Sequence, residues 1–173
     1  MIRTTVFILL IFLGFILVDG CAPIREAPTQ PPLTFPPPAP PPSGGDSGIQ
    51  NEEAPRRMAS LHLTEKGKGE LEQGELKRAM DRFEKAISLD SRNSAAYYYF
   101  AEARFRQKEF QQSLTLLNRA ELLMANDTDW LIKVYLLQGK NYEAMANKKE
   151  ADKRFQKVLS LNPSEPEALK HLK

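Results

Sequence analysis

Three stretches of this 173-residue chain share one pattern of residue sizes. They read GELKRAMDRFEKAISLDSRN, KEFQQSLTLLNRAELLMAND and ANKKEADKRFQKVLSLNPSE. Each holds a small residue, a large apolar residue four later, a small or branched one three later, and a leucine three beyond that. The sets are Ala79, Phe83, Ala86 and Leu89; Ser113, Leu117, Ala120 and Leu123; and Ala151, Phe155, Val158 and Leu161. Steps of three and four place each set on one helical face. Small residues at fixed places beside a large one let a neighbouring helix approach closely.

Each of these helices follows another. LTEKGKGELEQG, YYYFAEARFRQK and YLLQGKNYEAMA carry apolar residues around Gly67, Ala101 and Gly139, which share one position. The units are 34 residues apart from Ala79 to Ser113 and 38 apart from Ser113 to Ala151. From Met58 onward β-branched residues are sparse and never alternate, and no proline occurs before Pro163. Alanine, leucine, glutamate and lysine dominate, as helices prefer.

A 34-residue helix pair, with a small residue in the first helix and Ala…Phe…Ala in the second, resembles the tetratricopeptide repeat. Asn162 and Pro163 match the close of that family's unit. Repeats are expected at residues 60–93, 94–127 and 132–165, with residues 128–131 lengthening the third repeat's first helix by one turn. The resemblance implies an all-α fold: a right-handed superhelical stack of three helix pairs. There are departures. Glu70 and Arg104 stand where the family usually has an aromatic, and only Tyr142 conforms. Ser91 and Ala125 replace the closing proline in the first two repeats. Three repeats is about the least that makes a stable stack, and its ends need polar caps. Ser164 and Glu167 have capping-box spacing, which predicts a short final helix over the last pair.

The N-terminal part is of another kind. Val6 to Val18 is apolar apart from Gly14, with Arg3 ahead of it. Thirteen residues suit a signal-peptide core better than the roughly 20 of a membrane span. The following VDGC resembles a bacterial lipobox, with Val18 and Gly20 fitting the pattern and Asp19 departing from it. That resemblance implies a signal peptide over residues 1–20 and lipidation of Cys21 as the first mature residue. Cys21 is the sole cysteine, so no internal disulfide can form. Ala22 rather than Asp after the cysteine points to an outer-membrane anchor, with the domain facing the periplasm. Eleven of the thirteen prolines lie between Pro23 and Pro55. Residues 21–57 therefore read as a lipidated cysteine and a disordered linker, ahead of a repeat domain at 58–173. Within the linker, PPPAPPP reads as a spacer, or more sharply as a docking ligand for an aromatic groove.

Catalytic chemistry finds little support. His62 and His171 read as surface residues, and GKGELEQG lacks the spacing of a phosphate loop. Gly67 is explained by close helix packing; Gly69 is not explained. From Met58 onward 20 Lys/Arg stand against 17 Asp/Glu, alternating along the helices rather than forming the clustered patch that nucleic acid requires. No cofactor, metal or nucleic-acid partner is expected, and enzyme activity is not expected.

Function is expected to be binding of a protein or peptide. In the family the first helices line a concave groove. Carried over residue by residue, the resemblance implies Leu61, Thr64, Lys68 and Leu71 from repeat one. Repeat two gives Ala95, Tyr98, Glu102 and Phe105; repeat three gives Lys133, Leu136, Lys140 and Glu143. The family's carboxylate clamp for a peptide C-terminus is not reproduced. The expected role is an envelope scaffold or adaptor, as in outer-membrane lipoproteins of this kind that serve pilus, secretion or peptidoglycan machinery. The alternative is a homo-oligomeric structural lipoprotein with its groove filled by a neighbour.

Overall fold

A computed structural model describes residues 50–172. The expectations for the signal peptide, for Cys21 and for the linker up to residue 49 lie outside those residues. Seven helices follow one another: α1 Gln50–Glu72, α2 Leu76–Leu89, α3 Ser94–Arg106, α4 Phe110–Leu123, α5 Thr128–Ala144, α6 Lys148–Leu161 and α7 Pro166–His171. The pairs α1–α2, α3–α4 and α5–α6 pack most extensively. Each pair then packs on the next through α2–α3 and α4–α5, while α3 adjoins both α1 and α5, and α7 covers α6. The described residues are all-α, with the three helix pairs and the final short helix that the sequence predicts. Helix α5 begins at Thr128 and is four residues longer than α3, which is the expected extra turn.

The repeated size pattern is the core. Phe83, Leu117 and Phe155 are each fully buried, as are Ala79, Ser113 and Ala151 one turn earlier. Across from two of the large residues, Phe83 and Phe155, lie glycines of the preceding helices. A Cβ added to Gly67 would come within 2.7 Å of the Phe83 ring. Gly67 is thus a close-packing glycine, as expected. Around Gly69 there is open space, and nothing in the structure explains that glycine.

The turns inside the pairs share one geometry that the residue types conceal. Gly74, Lys108 and Ala146 all have positive φ, at 80°, 64° and 58°. After each, the next amide donates to a carbonyl five residues back: Glu75 to Glu70, Glu109 to Arg104 and Asn147 to Tyr142, each at 2.9 Å. This is the Schellman helix end, which favours glycine. Only the first turn has one. Side chains cap the starts of α3, α5 and α6: Asn93, Asp127 and Asn147 accept from the amides of Ala96, Trp130 and Glu150.

Two expectations need correction. The linker does not extend to residue 57, because α1 already runs from Gln50 with Pro55 inside it. Proline removes one backbone donor and is best tolerated near a helix start. Residues 53–59 are exposed, and Glu53 meets Arg92 at 3.8 Å. The capping box at Ser164 does not form. Pro166, with its fixed φ, opens α7 behind Glu165, and Ser164 instead donates from its amide and hydroxyl to the Asn162 side chain. Glu167 is thereby free to point elsewhere.

Candidate functional site

The parallel first helices present their flanks to one hollow. A cavity of about 380 Å³ is lined by Tyr98, Glu102, Phe105 and Arg106 of α3, by Lys133, Leu136, Leu137 and Lys140 of α5, and by Glu167 of α7. Tyr98, Glu102 and Phe105 fall on one face because their steps are four and three. Lys133, Leu136 and Lys140 share a face of α5 through steps of three and four. All six were expected in the groove.

The first repeat behaves otherwise. Thr64 is buried, donating to the Ser60 carbonyl at 2.9 Å and accepting from Asn93 Nδ2 at 2.9 Å. Leu71 is buried in the core, and its carbonyl accepts from Arg106 Nη1 at 2.9 Å. Both are structural residues, not groove residues. The cause is that α3 packs directly on α1, so a flank that is open in later repeats is covered here. Leu61 is exposed but outside the cavity, and Ala95 is half-buried outside it. The Lys68 ammonium lies 5.6 Å from the centre of the Tyr99 ring. Glu143 also stays outside, 2.9 Å from His171 Nδ1.

His171 is not a bystander on the surface. Its ring stacks on Phe155 at 4.5 Å and 8°, so it closes the last helix pair. His62 is exposed.

The reading from residues missed Arg106, Leu137 and Glu167. Arg106 carried a signal: it stands four residues after Glu102, and the two pair. Glu167 carried none, because it reaches Lys140 only when α7 folds back over the last pair. Every charge lining the cavity thus has a partner in the chain. Arg106 pairs with Glu102 and Lys140 with Glu167, while the Lys133 ammonium sits 4.4 Å from the centre of the Trp130 ring. What remains is an apolar floor of Tyr98, Phe105, Leu136 and Leu137.

Beside this floor stands an aromatic corner. Tyr98 meets Tyr99 and Trp130 edge-on, each at 5.3 Å, and Tyr99 meets Trp130 at 6.1 Å. Burial pushes the Tyr98 phenol well above its ordinary pKa, and Glu102 adds to the shift. Its hydroxyl therefore remains a donor at any physiological pH. Among the described residues no group of three or more His, Cys, Asp or Glu side chains could hold a metal ion. No described helix is long and apolar enough to cross a membrane.

The departures from the family pattern are accommodated by ions. Glu70, nearly buried, lies 3.5 Å from Arg78 and 3.4 Å from Arg82. The Arg104 guanidinium covers Phe100 at 5.1 Å and pairs with Glu109. Tyr142, the conforming aromatic, lies 5.8 Å below Arg154.

A tetratricopeptide-repeat profile matches residues 70–133. No curated protein sequence matches the chain. Among solved structures, the first tetratricopeptide domain of Spaghetti (RPAP3), bound to the HSP90 peptide SRMEEVD, is 31% identical; the match covers 67% of this chain and 89% of that one, with a TM-score of 0.62. The first such domain of human RPAP3 is 32% identical over 66% of this chain and 87% of that one, with a TM-score of 0.60. The Arabidopsis OM64 domain is 27% identical over 67% and 93%, with a TM-score of 0.62. Repeat register, helix pairing and these likenesses agree: the chain belongs to the tetratricopeptide-repeat family.

Proposed function

We propose that this protein is an adaptor that seats a protein or peptide segment in the cavity between α3 and α5. One observation carries the reading: six residues expected in a groove, drawn from two separate repeats, line a single cavity. An apolar floor ringed by polar groups suits a peptide's side chains. Domains of this family that are 31% and 20% identical are bound to HSP90 and HSP70 peptides, which supports the same class of ligand here. The chaperone-tail ligand itself is not proposed, because the cavity's cations are already paired with the chain's own groups.

The proposal extends to placement. The short apolar run, VDGC and the proline-rich stretch support a domain anchored by lipid at Cys21, held off an outer membrane and facing the periplasm. The adaptor then serves an envelope assembly. Cross-linking in cells followed by capture compares the natural chain with Tyr98→Ala and Leu136→Asp. Loss of the same captured protein from both variants, with helical circular dichroism unchanged, supports the groove; retention in both refutes it. Mass spectrometry of membrane-extracted protein should find a chain starting at Cys21 with an acyl-scale mass increase. A chain retaining Met1 refutes the anchor.

A further inference from the structure

The groove has a ligand candidate in its own chain. Residues 35–42 read FPPPAPPP, and only seven residues, 43–49, separate them from the start of α1. A proline-rich ligand needs an apolar, aromatic surface and a donor for its carbonyls, since proline offers no N–H of its own. It carries no charge, so it suits a site whose charges are already paired.

The cavity fits each requirement. Its floor is Tyr98, Phe105, Leu136 and Leu137, bordered by the Tyr98–Tyr99–Trp130 corner of edge-on rings. Glu102 and Glu167 hold Arg106 and Lys140, so a partner bearing a free carboxylate would have to displace a carboxylate already there. An uncharged segment displaces nothing. The Tyr98 hydroxyl supplies a donor.

The tether is long enough. Thr64 shares the register of Tyr98 one repeat earlier, and Gln50 precedes Thr64 by 14 residues. That is about 21 Å along the helix axis, and the step from α1 to the adjoining α3 adds about 10 Å sideways, or about 23 Å in all. Seven extended residues span about 23 to 25 Å. Gly44, Gly45 and Gly48 allow the chain to reverse.

We propose that residues 35–42 dock in a polyproline II conformation on this groove of the same molecule and that a partner must displace them. The inference rests on the cavity being a binding groove. A short flexible tether gives an effective concentration on the order of millimolar. A ligand of ~100 µM intrinsic affinity is then docked about ten to one.

Trp130 is the sole tryptophan, so its emission reports the corner directly. The test uses the full chain beside a variant with Pro36, Pro37, Pro38, Pro40, Pro41 and Pro42 each changed to Ser. Serine replacement should shift Trp130 emission to longer wavelength while helical circular dichroism stays unchanged. The synthetic peptide FPPPAPPP should reverse that shift, and should bind the serine variant about tenfold more tightly than the natural chain. Identical emission from both chains, with no response to the peptide, overturns the proposal. A shift that grows with protein concentration also overturns it, because the segment then docks on a second copy. Capture of a partner that depends on Tyr98, with no effect of the serine changes on emission or capture, overturns self-docking and leaves the groove standing. Capture that is independent of Tyr98 fails the groove itself.

Discussion

Gly139 lies flat against the Phe155 ring: a Cβ added there would come within 2.5 Å of Cε1 and 2.6 Å of Cζ. Gly67 has the same relation to Phe83, at 2.7 Å. The middle repeat has Ala101 and Leu117 at these places, both fully buried. Where the large residue is a ring its counterpart is glycine; where it is leucine the counterpart is alanine.

Gly139→Ala should therefore destabilise the third repeat despite alanine's better helix propensity. Overpacking of this kind costs about 1–3 kcal/mol. Adding Phe155→Leu should recover part of that loss, since the double variant copies the middle repeat. Thermal melts of the two single variants and the double variant measure the coupling. Additive losses would show that the pair is not a unit.

Truncating Phe83, Leu117 or Phe155 to Ala should cost about 2–5 kcal/mol each. Leu117 sits in the middle repeat, between neighbours on both sides, and stability in such stacks sums over units and interfaces. Leu117→Ala should thus raise amide exchange throughout the domain. Phe83→Ala and Phe155→Ala should raise it first at their own ends.

Asn93 joins three helices. Its Nδ2 donates to Ser60 Oγ at 2.8 Å and to Thr64 Oγ1 at 2.9 Å, and its Oδ1 caps α3. Ser60 Oγ in turn donates to the Ala86 carbonyl at 2.7 Å. Asn93→Ala removes a cap and leaves buried hydroxyls short of a partner, at a cost of about 2–3 kcal/mol. Asn93→Asp should keep the cap and still lose the bridge to α1. A denaturant titration that finds both variants within experimental error of the natural chain would refute this role.

Lys108 and Ala146 hold left-handed conformations that cost a non-glycine residue about 1–2 kcal/mol. Lys108→Gly and Ala146→Gly should each stabilise by somewhat less, roughly 0.5–1 kcal/mol, because glycine also loses more freedom on folding. Raised melting temperatures, adding in the double variant, are the expected result.

Glu121 ties α4 to α5 and α6. Burial pushes its carboxyl pKa up, but Gln138 and Tyr135 donate to it at 3.0 and 3.1 Å and Lys157 and Arg154 stand near, so the net shift is below its usual 4.5. A depressed carboxyl contributes stability that is present above its unfolded pKa and lost as pH falls through the folded value. Glu121→Gln should therefore flatten the decline in melting temperature below about pH 4.5. An unchanged acid profile would show that the carboxylate is screened.

The sequence alone determined the repeat. Ala79, Phe83 and Ala86 and their counterparts are neighbours along one helix, so their spacing already states which face is buried. It determined the extra turn at Thr128 for the same reason: helical rise is local. Resemblance to the family, rather than spacing, named Tyr98, Glu102, Phe105, Lys133, Leu136 and Lys140 as groove residues, and these six line one cavity. What happens between elements was decided only by tertiary packing. Thr64 and Leu71 hold the same register as the groove residues, yet α3 covers them, and nothing in their own helix records that. Glu167 meets Lys140, and His171 meets Phe155, only because α7 packs back on the last helix pair. The left-handed turns at Lys108 and Ala146 are set by the closeness of the paired helices, which overrides the preference of each residue. Local periodicity fixes faces; long-range packing decides which faces stay open and what reaches them.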